Sequence, residues 1–267
     1  MSYDTIIVDE IEGVQVIRLN RPDRLNAWTY HMGSEMRAAV EAANANPDIT
    51  AIILTGEGRG FCAGADVEDV FKAQSEGEEV SRDGGGMGDW VSLIRSSKPA
   101  IAAINGAAIG LGVTQVLPMD YLIASDNAKI SVRFVKMGLV PELASSHFLA
   151  ARVGFGRASE LMLTGRTVVG EEALACGLVD EVCAGDELMD RALTMAKAMG
   201  ENPQSALRQI KQLLTDNIVE TDLKAVQKRE GQALAVCYAS AEHREAIDAF
   251  LNKREPDFAA ARRAEEA

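Results

Sequence analysis

The feature that most constrains the fold is a continuous apolar run, ITAIILTG at residues 49–56, which ends in glycine. Such a run predicts a strand that is buried on both faces, as in a parallel sheet covered by helices. Two similar runs follow, PAIAAINGAAIG at 99–110 and YLIAS at 121–125. Upstream, residues 31–43 carry apolar side chains at helical spacing. This alternation of helices and buried strands predicts an α/β fold with parallel strand pairing.

The pattern changes after about residue 200, where the strand signals end. Pro203 opens a helical stretch that continues through Leu214, and residues 222–252 predict one or two further amphipathic helices. We therefore divide the chain into a core, residues 1–195, and a helical region, residues 200–267. Such a region either caps the same core or docks on a neighbouring subunit.

Charge and composition argue against several kinds of partner. The chain has 267 residues and a formal net charge of −13, which disfavours binding to nucleic acid and to anionic membranes. No apolar run approaches the roughly 20 residues that cross a bilayer. The cysteines lie far apart and the histidines are scattered, so neither a disulfide framework nor a metal site is expected. The beginning does not resemble a signal peptide and the end is not a peroxisomal signal, so we expect a cytoplasmic protein.

Two glycine-punctuated segments each predict a strand, a tight turn and a helix. In TGEGRGFCAGADVEDV, residues 55–70, Asp66 is a good N-cap, and the N–H of Ala65 beside it would be left without a partner. In NGAAIGLGVTQ, residues 105–115, a helix is predicted to begin near Leu111. If the two turns face one another, they present two fixed N–H donors to one carbonyl oxygen, which is an oxyanion hole.

Two further features each allow two interpretations. The glycine-rich segment SRDGGGMG, residues 81–88, is either a flap over a site or a plain connector. The aromatic side chains of Trp28 and Tyr30, which follow a turn, either line a ligand channel or belong to the core.

Several short motifs are weak signals when taken singly, but their order along the chain is specific to one family. The motifs are RPDRLNAW, the TGEGRGFCAGAD block, KPAIAAINGAAIGLG, MDYLIASDNAKI, GLVP, RVGFGRASELMLTGR, EEALACGLVDEV and AFLNKREPDF. Together they resemble the crotonase superfamily, the enoyl-CoA hydratase/isomerase family, over nearly the whole chain.

The resemblance implies a spiral of ββα units with a C-terminal helical region that assembles homotrimers, often paired as hexamers. It implies an acyl-CoA thioester substrate and no separate cofactor or metal. By motif position, the thioester oxygen would be held by the backbone N–H groups of Ala65 and Leu111. Leu111 departs from the family's usual glycine, and a side chain is tolerated there only if the backbone φ is negative.

The resemblance also carries over a set of coenzyme A contacts. The matching residues are Arg24, Leu25, Ala27, Ala63, Asp66 and Val67. Phe250 and Lys253 on the last motif would reach the coenzyme A of a neighbouring subunit. Two of these residues have a simpler interpretation, since Asp66 is also a helix cap and Lys253 could be a solvated helix end.

The acid and base of a hydratase are missing. Hydratases of this family use two glutamates, and the matching positions here are Thr114 and Phe134. A hydroxyl is too weakly acidic to replace a carboxylate, and phenylalanine does not titrate. We therefore reject an ordinary two-glutamate hydratase.

One carboxylate, Glu142, lies nearby in the sequence PELASSHF. Pro141 predicts the first turn of a helix, where an acid is favoured by the helix dipole alone. The apolar neighbours would instead raise the pKa of Glu142 and make it a better base. The run P-E-x-x-S-S resembles the peroxisomal type of Δ3,Δ2-enoyl-CoA isomerase, which has its single catalytic glutamate here. His147 would face away from Glu142 on a shared helix, so we expect no Glu–His dyad.

These observations predict an isomerase that moves the double bond of a 3-enoyl-CoA to give the 2-trans-enoyl-CoA, with Glu142 as the proton shuttle. Two alternatives stay open. One is atypical hydration or thioester hydrolysis that uses Glu142 and water. The other is a non-catalytic homologue that binds acyl-CoA.

Overall fold

The computed structural model describes residues 3–72 and 87–266. Within these residues the strands form two sheets. The larger sheet has the order β1-β2-β3-β5-β7-β10 and the smaller sheet the order β4-β6-β8-β9. The strands are β1 (Ile6–Ile11), β2 (Val14–Leu19), β3 (Ala51–Gly56), β4 (Gly60–Cys62), β5 (Ala100–Ile104), β6 (Ala107–Ile109), β7 (Tyr121–Ser125), β8 (Lys129–Ser131), β9 (Val168–Val169) and β10 (Glu181–Cys183).

Helices surround the two sheets. They are α1 (Tyr30–Ala45), α2 (Trp90–Ser96), α3 (Leu111–Thr114), α4 (Ser145–Val153), α5 (Phe155–Thr164), α6 (Gly170–Ala175), α7 (Leu188–Gly200), α8 (Gln204–Asn217), α9 (Leu223–Ala239), α10 (Ala241–Asn252) and α11 (Phe258–Glu266). Two short 3₁₀ helices, Pro22–Arg24 and Arg133–Met137, and one π-helical turn, Val67–Lys72, complete the described elements.

The strand predicted from residues 49–56 is confirmed as β3, and all of its residues are buried. Its side chains alternate between two separate cores. Ile52 and Leu54 belong to the cluster that includes helix α1, whereas Ile53 packs into the second cluster with Ala192 and Ala196 of helix α7. Because both faces of β3 are buried, no position along the strand needs a polar side chain that faces water. The apolar run in the sequence is therefore continuous.

A ββα unit is repeated three times along the chain. Each of β3, β5 and β7 lies in the large sheet and is followed by a short strand in the small sheet and then by a helical turn. Pairing from β2 through β3, β5 and β7 to β10 is parallel, as predicted. Because each unit repeats the same path, the ends of the short parallel strands β4, β6 and β8 meet at one place.

Helix α7 crosses the predicted end of the core at residue 195 and packs on the large sheet, so the core extends to Gly200. The helical region that follows is fastened to this core by buried polar contacts. Lys211 Nζ lies 2.7 Å from the Asp120 carboxylate, and Gln204 Nε2 donates to the Thr50 carbonyl at 3.0 Å. Among the helices of the described residues, none is both long enough and apolar enough to cross a membrane.

Candidate active site

A cavity of about 730 Å³ opens where the ββα units meet. Its size suits a small-molecule ligand. Among the described residues that line it, Glu142 is the one carboxylate, and Arg133 and Lys136 are the cations. The remaining lining residues are Trp28, Tyr30, Ala63, Gly64, Ala65, Val67, Val70, Met87, Gly88, Ile109, Gly110, Leu111, Phe134, Met137, Leu139, Val140 and Leu143.

The two glycine-punctuated turns lie side by side at this cavity. Strands β4 and β6 pair in parallel, so the turns that follow them leave the sheet together. Gly64 has φ +102°, and a Cβ there would lie 3.0 Å from the carbonyl oxygen of Ile109. Gly110 has φ +55°. Each turn therefore needs a glycine at the position directly before Ala65 or Leu111, because other residues rarely adopt a positive φ.

The N–H groups of Ala65 and Leu111 have no hydrogen-bond acceptor within the described part of the chain. Trp28 pairs with the residues on either side of Ala65, accepting from Asp66 N and donating to Gly64 O, both at 2.8 Å. Leu111 is the first residue of helix α3, so its φ is negative and its side chain is tolerated. Both residues line the cavity. Their role as donors to a thioester oxygen stays a prediction.

Asp66 acts as a helix cap, as predicted. Its Oδ1 accepts from Glu68 N at 3.1 Å and Asp69 N at 3.4 Å. Its Oδ2 forms an ion pair with Arg21 Nη2 at 2.9 Å. Burial would raise the pKa of Asp66, but these bonds outweigh burial and hold the pKa below its usual range. The sequence placed Arg21 only in a turn, because nothing local shows that it reaches Asp66.

Six of the eight predicted coenzyme A contacts lie in the turns beside strand β4. Ala63 N donates to Leu25 O at 3.0 Å, which joins the RLNA turn to the first glycine-rich turn. Arg24 is exposed and lies 3.3 Å from the Glu68 carboxylate. Val67 is 61% exposed at the edge of the cavity. Ala27 lies in the same turn, and its carbonyl accepts from Arg21 Nη1.

The structure does not bring Phe250 and Lys253 to the cavity of their own chain. Phe250 is 82% exposed on helix α10. Lys253 caps the end of this helix with φ +54°, and its N–H bonds to the Ala249 and Phe250 carbonyls. Within its own chain Lys253 is exposed, so both interpretations of this residue stay open. Its predicted contact with a neighbouring subunit's ligand stays a prediction.

The prediction that Pro141 opens a helix is wrong. Helix α4 begins at Ser145, and Glu142 lies in the preceding turn. Leu143 and Ala144 between them have φ values of +56° and +52°. Two successive non-glycine residues in this region are strained, which is typical of functional sites. The dipole of a helix that contains Glu142 therefore does not explain why an acid stands at this position. Glu142 and His147 also do not share a helix.

The Glu142 carboxylate accepts a hydrogen bond from a residue of helix α3. Thr114 Oγ1, on helix α3, donates to Glu142 Oε1 at 3.0 Å. Thr114 is fully buried, whereas Glu142 lines the cavity and is exposed as a residue. Burial raises the pKa of the Glu142 carboxyl, and the bond from Thr114 opposes this effect. A carboxylate with a raised pKa is a stronger base near neutral pH.

Aromatic side chains form part of the wall. The Phe134 ring lies 3.9 Å from where a Cβ on Gly110 would be, so it faces the second turn. Trp28 is 5% exposed, belongs to the main core and also lines the cavity, so both interpretations of this residue hold. Tyr30 packs edge-on against it at 5.2 Å and lines the cavity too. In the glycine-rich segment 81–88, residues 81–86 lie outside the described residues.

One group of possible metal ligands, Asp4, His31 and Glu35, comes together away from the cavity. The Glu35 oxygens already accept hydrogen bonds from Asp4 N at 2.6 Å and Thr5 N at 2.8 Å. Glu35 therefore fastens the start of the chain to helix α1.

The geometry agrees with comparisons to known proteins. The family model described as "Enoyl-CoA hydratase/isomerase" matches residues 9–261. A crotonyl-CoA hydratase of Syntrophomonas wolfei is 33% identical over 261 residues, covering 97% of this chain and 99% of that protein. A probable enoyl-CoA hydratase of Mycobacterium leprae is 33% identical over 258 residues, with the same coverage. The solved structure of an enoyl-CoA hydratase from Bacillus anthracis superposes with a TM-score of 0.86 at 30% identity, covering 96% of this chain and 99% of that one.

Fold and cavity together define an acyl-CoA enzyme with the crotonase fold. The chain belongs to the enoyl-CoA hydratase/isomerase family. The predicted family and fold are thus confirmed. The relatives named above are hydratases, so the predicted closeness to isomerases stays a prediction.

Proposed function

We propose that this protein is an isomerase that converts 3-enoyl-CoA to 2-trans-enoyl-CoA. The observation that supports this proposal is that Glu142 is the single carboxylate among the described residues that line the cavity. Thr114 and Phe134, at the positions of the two hydratase glutamates, cannot exchange protons at neutral pH. A reaction that needs one acid–base group therefore fits this cavity better than one that needs two.

The proposed reaction moves one proton within the substrate. The thioester oxygen accepts hydrogen bonds from the N–H groups of Ala65 and Leu111. The Glu142 carboxylate removes a proton from C2, and the resulting dienolate places its negative charge on that oxygen, where the two donors stabilise it. Protonated Glu142 then returns the proton to C4, and the double bond lies between C2 and C3. No proton, water or electron is consumed.

A hydratase is the second candidate, because the named relatives are hydratases. Addition of water would require Glu142 both to activate the water and to supply the proton at C2. Thioester hydrolysis with Glu142 as the base would release free coenzyme A instead. A protein that binds acyl-CoA without reaction would give neither product.

The experiment supplies 3-trans- and 3-cis-enoyl-CoA to the purified protein. We expect the conjugated 2-enoyl thioester to form, and Glu142→Gln to lower kcat by about 10²- to 10⁴-fold. Glu171→Gln is the matched control, since Glu171 is an exposed acid outside the cavity. Accumulation of 3-hydroxyacyl-CoA favours the hydratase and free coenzyme A favours the hydrolase. Tight binding without any product would contradict all three reactions.

We also propose that the chain works as a homotrimer or a dimer of trimers. Large apolar side chains are exposed at the cavity and on helix α5. Val140 at the cavity is 83% exposed, and Phe155 and Leu163 on helix α5 are 84% and 75% exposed. Exposed apolar area of this kind is typical of surfaces that bind another protein. Light scattering after gel filtration measures the assembly. A monomer at micromolar concentration would contradict this proposal. The cytoplasmic location stays a prediction of the sequence.

A further inference from the structure

Thr114 is a buried residue whose hydroxyl reaches the proposed base, Glu142. It is the last residue of helix α3, whose first residue, Leu111, presents one of the unpaired N–H groups. Its side chain is fully buried. The hydroxyl has two acceptors in reach, Glu142 Oε1 at 3.0 Å and the Leu111 carbonyl oxygen at 3.4 Å. The proposed reaction itself gives this hydroxyl no role.

We infer that Thr114 is a positioning residue that holds Oε1 of Glu142 and leaves Oε2 free to take the proton from C2 and return it to C4. This inference rests on the proposed function. It assigns the two carboxylate oxygens different tasks. Because the hydroxyl and the Leu111 N–H lie on the same helical turn, the base and the thioester oxygen are also placed relative to one another.

Among the described residues, Thr114 is the one that holds the Glu142 carboxylate. Glu142 is not on a helix, and its turn is followed by two residues with positive φ. Within the described residues, no other side chain or backbone group donates a hydrogen bond to its carboxylate. Arg133 and Lys136 line the same cavity, but neither is among the groups that shift the pKa of Glu142, which are burial and the Thr114 hydroxyl. Without the hydroxyl, the carboxylate would be free to rotate among its conformers.

A hydroxyl carries one proton, so it can serve only one acceptor at a time. While Glu142 is ionised, the carboxylate is the stronger acceptor and the hydroxyl donates to it. After Glu142 takes the substrate proton, the hydroxyl can turn to the Leu111 carbonyl. The contact is therefore strongest while the base waits for substrate and weakens when Glu142 must give the proton back.

The test compares Thr114→Val, which keeps the shape but removes the hydroxyl, with Thr114→Ser, which keeps the hydroxyl. We expect Thr114→Val to lower kcat by about tenfold or more with little change in KM. We also expect the acidic limb of the kcat/KM profile to move up by about one to two pH units, because the charged form of Glu142 loses a hydrogen bond. Thr114→Ser should restore kcat and the pH profile.

A titration that does not depend on catalysis separates this inference from the proposed function. ¹³C NMR of protein labelled at the glutamate side-chain carboxyl carbon follows Glu142, whose signal is assigned as the one absent from Glu142→Gln. If the wild type fails to isomerise 3-enoyl-CoA, the proposed function is wrong, and the titration still decides the role of Thr114. An unchanged Glu142 titration in Thr114→Val overturns the inference. So does a Thr114→Ser variant that is as slow as Thr114→Val.

Discussion

A proline at residue 111 would test whether the backbone N–H of this residue stabilises the dienolate in the proposed reaction. Leu111 is the first residue of helix α3, and its N–H has no acceptor within the described residues. Proline is favoured at the first position of a helix, since its fixed φ fits and the missing N–H has no helical partner there. Leu111→Pro therefore removes one proposed oxyanion donor and keeps the backbone path.

The matched control is Leu111→Ala, which loses the same side chain and keeps the N–H. Leu111 is 9% exposed and packs in the main core, so we expect either variant to lose about 2–5 kcal/mol of unfolding free energy. Removal of one oxyanion donor costs about 10²- to 10³-fold in kcat. The difference in kcat between the two variants should therefore be of this size, while their stabilities stay close.

The assay measures isomerisation of 3-trans-enoyl-CoA by both variants at saturating substrate. Thermal unfolding at one fixed protein concentration measures stability, because assembly makes the midpoint depend on concentration. Equal kcat values for Leu111→Pro and Leu111→Ala, in two folded proteins, would refute the proposal that this N–H stabilises the dienolate.

Two other predictions concern packing and charge. A Cβ on Gly112 would lie 2.3 Å from the Cys62 carbonyl oxygen, so Gly112→Ala must push helix α3 off strand β4. We expect Gly112→Ala to lose about 1–3 kcal/mol of unfolding free energy and about 10²-fold in kcat. The control is Gly156→Ala, where a Cβ meets no atom within 4 Å; it should keep kcat and leave stability unchanged or higher. Burial would raise the pKa of Glu242, but hydrogen bonds from Ser205 and its neighbours outweigh burial and lower the pKa. Ionised Glu242 therefore stabilises the fold at neutral pH, and this stabilisation decreases as the pH falls below the usual glutamate range. Glu242→Gln should lose about 3–5 kcal/mol in urea unfolding at pH 7, and a loss that does not shrink in acid would contradict the assigned cause.

The sequence predicts the parts of this fold that depend on local pattern. The run that forms β3 is apolar because both faces are buried, and that pattern needs no knowledge of the partners. The glycines before Ala65 and Leu111 are visible for a similar reason, since a positive φ is a local demand. These signals predicted two turns with unpaired N–H groups, and pairing of β4 with β6 places the turns side by side.

The parts that sequence reasoning missed depend on contacts between distant segments. Pro141 is a valid signal for a helix start, yet the helix begins four positions later, because Leu143 and Ala144 take left-handed conformations that their residue types do not reveal. Thr114 and Glu142 are 28 residues apart in the chain, and only the packing of the units around the cavity joins them. The sequence identified Thr114 as the place of a missing acid, not as a donor to the remaining one.

In the proposed reaction, the backbone stabilises charge and the side chains transfer protons. Because these two roles are separate, one fold can support different reactions. In the proposed reaction, backbone N–H groups meet the charge on the thioester oxygen, and leucine in place of the family's usual glycine at residue 111 keeps that N–H. Proton transfer depends wholly on which side chains reach the carbons beyond the thioester. With a hydroxyl at Thr114 and a phenyl ring at Phe134, Glu142 is the one carboxylate left among the described residues that line the cavity. We therefore propose that a few side chains around the two backbone donors decide between hydration and isomerisation in this chain.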